Sequence, residues 1–188
     1  MKELSLHMLD IAQNSIAAQA HCVDLTVDEE AGWLTLAVAD DGKGMSPEFL
    51  AGVTDPFTTT RTTRKVGLGL PLLRMAAEMT GGGLDIQSAL GVGTTVTARF
   101  QQSHIDCPPL GDMAATVALL VQGLPDGMEL TYTRRTGRGE FRFDTREIRE
   151  ILGPGVPLSA PDVYQWVEGY LAEGEQSVTI DGEIADKE

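Results

Sequence analysis

Between residues 3 and 20, apolar side chains recur at Leu4, Met8, Leu9, Ile11, Ala12, Ile16 and Ala20, the spacing of an amphipathic helix. Asp10 and Asn14 fall one turn apart on it. Residues 21–27 and 33–39 form two alternating or apolar runs that predict strands, separated by a polar turn at 28–32. The second strand ends in Asp40-Asp41-Gly42-Lys43-Gly44. Ser46-Pro47-Glu48 supplies an N-cap, a proline at the first helical position and an early acid, which together open a short helix running to Val53. From Asp55 to Val66 the chain is threonine-rich, basic and without apolar period, the pattern of a mobile loop. Gly67-Leu68-Gly69-Leu70 leads into a helix reaching Met79 and closed by Thr80-Gly81-Gly82-Gly83. Strands at 84–88 and 94–100 then join through a tight turn at 89–93.

The Pro108-Pro109 pair marks a boundary, so the expected organisation is one unit over 1–104 and a small α+β extension over 105–188. In the extension, residues 112–123, 145–152 and 160–171 read as helices. Residues 129–133 and 140–143 read as a hairpin across Gly137 and Gly139. The acidic stretch 173–188 reads as a frayed tail. The length of 188 residues suits one full domain with an appendage, and 42% hydrophobic with 22% charged residues is an ordinary globular composition. No stretch is apolar enough to span a membrane, and no secretory signal opens the chain, so the expected location is the cytoplasm. Cys22 and Cys107 carry no metal or disulfide spacing and read as reduced thiols.

A formal net charge of -14 argues against non-specific nucleic-acid binding. The basic residues are nevertheless clustered, with Arg61, Arg64 and Lys65 in the loop and Arg134, Arg135, Arg138, Arg142, Arg146 and Arg149 in the extension. The second cluster suits an acidic-partner surface or a solvated face.

Four fragments carry candidate chemistry. Asp40-x-Gly42-x-Gly44 sets a carboxylate, able to accept from an exocyclic amine, beside backbone that a ligand can approach closely. Gly67-x-Gly69 lies between a basic loop and a helix start, where free N–H groups favour phosphate. Asn14 offers an amide oxygen to magnesium, and Asp10 a general base. The plainer readings are an Asp-Gly turn, a flexible hinge and two solvated polar residues. No GxxxxGK[ST] is present, which excludes a P-loop.

The order of these fragments is more specific than any one of them. Residues 9–18, LDIAQNSIAA, resemble the N-box of the GHKL superfamily, and Val38-Ala39-Asp40-Asp41-Gly42-Lys43-Gly44-Met45 resembles its first glycine box. Asp55-Pro56-Phe57-Thr58-Thr59-Thr60 resembles the phenylalanine box of histidine kinases, Gly67-Leu68-Gly69-Leu70 their second glycine box, and Gly91-Val92-Gly93-Thr94-Thr95-Val96 the closing turn and strand. The resemblance covers residues 4–100 and is nearest to the catalytic ATP-binding domain of bacterial sensor histidine kinases. It implies an α/β sandwich of the α+β class, a mixed sheet covered on one face by helices, and ATP with Mg2+ bound between the helices and a lid.

By the same resemblance Asp40 reads the adenine amine, and Gly42 and Gly44 shape the adenine pocket. Asn14 holds the metal. Gly67 and Gly69 cradle phosphates, while Met45, Phe57, Thr59, Leu68, Leu70 and Thr94 complete the nucleotide contacts. Apart from the resemblance, Arg61, Arg64 and Lys65 read as phosphate-facing cations.

Asp10 stands where gyrase-like and repair members carry glutamate, one methylene longer. The N-box also starts within ten residues of Met1, which leaves no room for the dimerisation and phosphoacceptor helices of histidine kinases. His7 reads as a packed residue, and His21 and His104 have no context. Phosphoryl transfer to a partner protein in trans is therefore the expected function. An ATP-dependent switch with slow or no hydrolysis is the alternative, and a weak ATPase with Asp10 as base is a third. The stretch from Phe57 to Gly67 is too short for the lid of an ATP-gated clamp.

Overall fold

A computed structural model describes residues 3–54 and 69–179. In chain order the elements are α1 (Leu4–Ala17), β1 (Cys22–Glu30), β2 (Trp33–Asp40), α2 (Pro47–Gly52), α3 (Gly69–Met79), β3 (Gly83–Ala89), β4 (Gly93–Gln101), α4 (Met113–Gln122), β5 (Glu129–Thr136), β6 (Gly139–Asp144), α5 (Thr145–Leu152) and α6 (Pro161–Val178). The strands form one six-stranded mixed sheet in the order β3-β4-β2-β1-β5-β6. All neighbours run antiparallel except β1 and β5, which are parallel.

Period-2 alternation decides which face is covered. Val23, Leu25 and Val27 of β1, Leu34, Leu36 and Val38 of β2, Val96, Ala98 and Phe100 of β4, and Leu130 and Tyr132 of β5 are all buried, and the register sets them side by side. Helices α1 and α3 lie against the β1–β4 half, and α6 lies against β5 and β6. Helix α4 packs between α1 and α6. This is the α+β layering expected, a mixed sheet with helices on one face. Among the described residues no helix is long and apolar enough to cross a membrane.

The 104/105 division falls between β4 and α4, and the elements on its two sides share one sheet and one apolar core. The first turn of α1 has no side-chain cap. Its Leu4 and Ser5 N–H groups donate instead to the carbonyls of Pro109 and Leu110, at 3.0 and 2.7 Å.

Three local expectations are corrected. The turn expected at 28–32 contracts to Ala31-Gly32, both at positive φ, because Asp28–Glu30 are drawn into the ladder with Trp33–Thr35. The helix expected to end at 171 continues to Val178, since Leu171, Gly174 and Val178 are buried and Glu175 enters a buried ion pair. Residues 173–179 are thus not a frayed tail, whereas 180–188 lie outside the described residues. The arginines of the extension are also not one charged face. Arg134 points into the covered side, only 2% exposed, and pairs with Glu29 and with Glu175 at 3.3 Å. Arg135 pairs with Glu140, Arg142 and Arg146 with Asp144, and Arg149 with Glu129, while Arg138 donates to the Thr179 carbonyl. Burial pushes the Glu175 carboxyl up, a shift that Tyr132 and Arg134 oppose, and pushes the Tyr132 phenol up as well.

Candidate functional site

A cavity of about 730 Å³ opens beside α1 at the end of the sheet where β2 and β4 meet the turns. Helix α1 turns Ile11, Asn14 and Ser15 toward it, and the capping residue Ala18 continues the stripe, at i, i+3, i+4 and i+7. Asp40 ends β2, directly paired with Thr94 of β4, and both border the cavity. Met45, Leu70 and Val96 give it apolar walls, with Phe49, Leu90 and Lys43 also on its border.

Two donors hold the Asp40 carboxylate. Ser15 Oγ donates to Oδ2 at 2.5 Å, and the Gly42 N–H donates to Oδ1 at 2.9 Å. A carboxylate offers about four lone-pair sites, so acceptor capacity remains on both oxygens. Asp41 points elsewhere. It accepts from the His21 and Cys22 amides that open β1, and these bonds, the Cys22 amide first, hold its carboxyl below the usual range.

Backbone closeness explains two of the glycines. Gly44 has φ +65°, and a Cβ there would lie 1.9 Å from the Ala89 carbonyl oxygen. Gly93 has φ +136°, and its Cβ would lie 1.9 Å from the Asp40 carbonyl oxygen. Gly44→Ala is accordingly expected to lower stability by roughly 1–3 kcal/mol, measured by thermal melting. An unchanged melting temperature would show that the turn has room the structure does not give it.

Asp10 sits against the start of α3, where a Cβ on Gly69 would lie 1.9 Å from Asp10 Oδ2. The carboxylate therefore rests on the positive end of a helix. His7, one turn before it, is buried, and among the described residues its Nδ1 has no hydrogen-bond partner. Burial foremost holds the imidazole below its ordinary pKa.

The structure thus gathers Asn14, Asp40, Gly44, Met45, Leu70 and Thr94 around one cavity. Asp10, Gly42 and Gly69 do not border it. Phe57, Thr59, Arg61, Arg64, Lys65, Gly67 and Leu68 lie outside the described residues. Sequence reading missed Ser15, whose signal was its place on the Ile11–Ala18 stripe, and Leu90, an apolar residue in a glycine turn. Among the described residues no group of three or more His, Cys, Asp or Glu side chains could hold a metal by itself.

Comparison with known proteins bears on the same residues. The family model described as histidine kinase-, DNA gyrase B- and HSP90-like ATPase matches residues 2–104. The chain is 41% identical over 82 residues to the histidine protein kinase DivJ of Caulobacter vibrioides, covering 42% of this chain and 14% of DivJ. It is 38% identical over 78 residues to the sensor protein SrrB of Staphylococcus aureus, covering 39% of this chain and 13% of SrrB. The chain thus spans only a small part of the length of either relative. The family match takes in more than half of the chain, including every residue that borders the cavity. On that ground the chain belongs to the histidine kinase-, DNA gyrase B- and HSP90-like ATPase family.

Proposed function

We propose that this chain binds ATP with magnesium in the cavity beside α1 and passes the terminal phosphoryl group to a partner protein in trans, in the cytoplasm. One observation supports this most: Asp40 is held at the end of β2 with free acceptor capacity on the border of a partly apolar cavity of about 730 Å³. An exocyclic amine would satisfy that capacity, and Ile11, Met45 and Val96 would contact the ring faces.

The donor set also suits magnesium. Asn14 offers one neutral oxygen, and among the described residues no acidic cage surrounds it, which suits an ion that keeps most of its waters and leans on phosphate oxygens. When bound, the metal would neutralise charge on the phosphates. Asn14 would orient it, Gly69 at the start of α3 would bring backbone N–H groups toward the phosphates, and Asp10 would take the proton of an acceptor hydroxyl or water. Arg61, Arg64 and Lys65 are further candidates for phosphate contact.

A second reading draws support from Asp10. Its carboxylate packs on Gly69 and does not border the cavity, an arrangement that favours a switch in which ATP binding alters partner docking with little turnover.

Incubation with γ-labelled ATP and Mg2+, alone and with added cell lysate, separates these readings. The kinase reading expects label on another protein, and a drop of roughly 10²-fold or more for Asp10→Asn with nucleotide affinity retained. Tight binding with no labelled product would overturn it in favour of the switch, and release of free phosphate alone would favour a weak ATPase.

A further inference from the structure

Ser88 of β3 does not border the cavity, yet its hydroxyl touches two segments that carry cavity-lining residues, Met45 and Gly93-Thr94. It accepts from the Met45 N–H at 2.9 Å and donates to the Gly93 carbonyl at 3.0 Å, and it lies 2.8 Å from Thr94 Oγ1. A hydroxyl has one proton and two lone pairs. The Met45 amide can only donate and the Gly93 carbonyl can only accept. All three contacts are therefore satisfied in a single arrangement, in which the Thr94 hydroxyl donates to Ser88. That arrangement turns the Thr94 proton toward Ser88 and leaves only lone pairs on Oγ1 for a ligand.

Thr94 stands opposite Asp40 in the β2–β4 ladder, and both border the cavity. The wall at this pair consequently presents acceptors from both sides, the Thr94 oxygen and the Asp40 carboxylate.

We propose that Ser88 is a positioning residue for base selection: by fixing the Thr94 proton, it makes this wall accept a nucleobase bearing an exocyclic amine and reject one bearing a carbonyl in its place. The inference rests on the reading that the cavity takes the adenine ring. Without the Ser88 hydroxyl, the Thr94 hydroxyl is free to rotate and donate to such a carbonyl, so the rejection weakens.

ATP and inosine triphosphate differ only along this edge of the base, an amine against a carbonyl at C6 with an added proton on N1, and provide the probe. In titration calorimetry on the full chain, wild type binds ATP more tightly than inosine triphosphate. Ser88→Ala narrows that ratio by roughly five-fold or more, and Ser88→Thr, which keeps the hydroxyl, restores it. In a Thr94→Val background the Ser88→Ala change leaves the ratio where it was, because the effect passes through the Thr94 hydroxyl. Should Ser88→Ala not fold, Ser88→Cys keeps the shape with a much weaker hydrogen-bonding group and narrows the ratio in its place. Equal losses for both nucleotides in Ser88→Ala would leave Ser88 a purely structural role and overturn the proposal. A wild type that binds neither nucleotide, or both alike, would instead remove the adenine reading beneath it.

Discussion

Asp40→Asn is expected to weaken adenine-nucleotide binding by about 100-fold or more in calorimetric affinity. The reason lies in the two donors already aimed at the carboxylate. The Gly42 N–H is fixed by the backbone and needs an oxygen, so the asparagine oxygen is held there and the amide nitrogen turns toward Ser15. The Ser15 hydroxyl can rotate to accept, but the second amide hydrogen then points at the ligand. An exocyclic amine meets a donor where it needed an acceptor, and a buried mismatch of this kind costs far more than a lost surface contact. The fold itself keeps both local bonds, so thermal melting stays close to wild type. Undiminished ATP binding by this variant would disprove the base-recognition role.

Arg134→Ala is expected to cost about 3–5 kcal/mol in urea denaturation, the largest stability loss of any single change considered. Arg134 is 2% exposed and stands between Glu29 and Glu175, with the Tyr132 hydroxyl donating to Glu175. Removing it leaves two carboxylates facing each other in a covered layer without their cation. Burial already raises the Glu175 carboxyl above its ordinary value. A group raised in this way favours the folded state below its unfolded pKa, and that contribution is lost as pH rises through the folded value. The deficit of Arg134→Ala therefore narrows on acidification toward the glutamate range. A deficit under about 1 kcal/mol, or one that widens with acid, would show that the pair carries little of the stability.

The sequence was most legible where a pattern had one physical meaning. The apolar stripe of α1, the alternation of β1 and β2, and the Ser46-Pro47 opening of α2 correspond to the elements observed. Asp40 was legible as the end of a strand, because Asp-x-Gly-x-Gly follows an apolar run. The hydrogen-bonding roles of Ser15 and Ser88 were not, since nothing local marks a serine hydroxyl as a partner of Asp40, 25 residues on from Ser15, or of the Met45 amide, 43 residues back from Ser88. The depth of Arg134 was equally hidden. Among five other arginines it looked like a surface residue, and only the β1–β5 register, with Arg134 beside Val27, turns it inward. The run from Glu173 to Val178 looked too acidic to be ordered, and its helix is explained by Glu175, which answers Arg134.

The parallel seam between Val23–Asp28 of β1 and Leu130–Arg135 of β5 joins the family-matched half of the chain to the half that follows it. An excised amino-terminal piece would inherit a row of amide and carbonyl groups along that border with nothing to satisfy them, and an unpaired strand border invites association with other chains. It would also lose the two carbonyls that close the first turn of the helix bearing Asp10 and Asn14. The later residues thus act as a keel: every residue that borders the cavity belongs to the first half, and part of the support beneath it comes from the second.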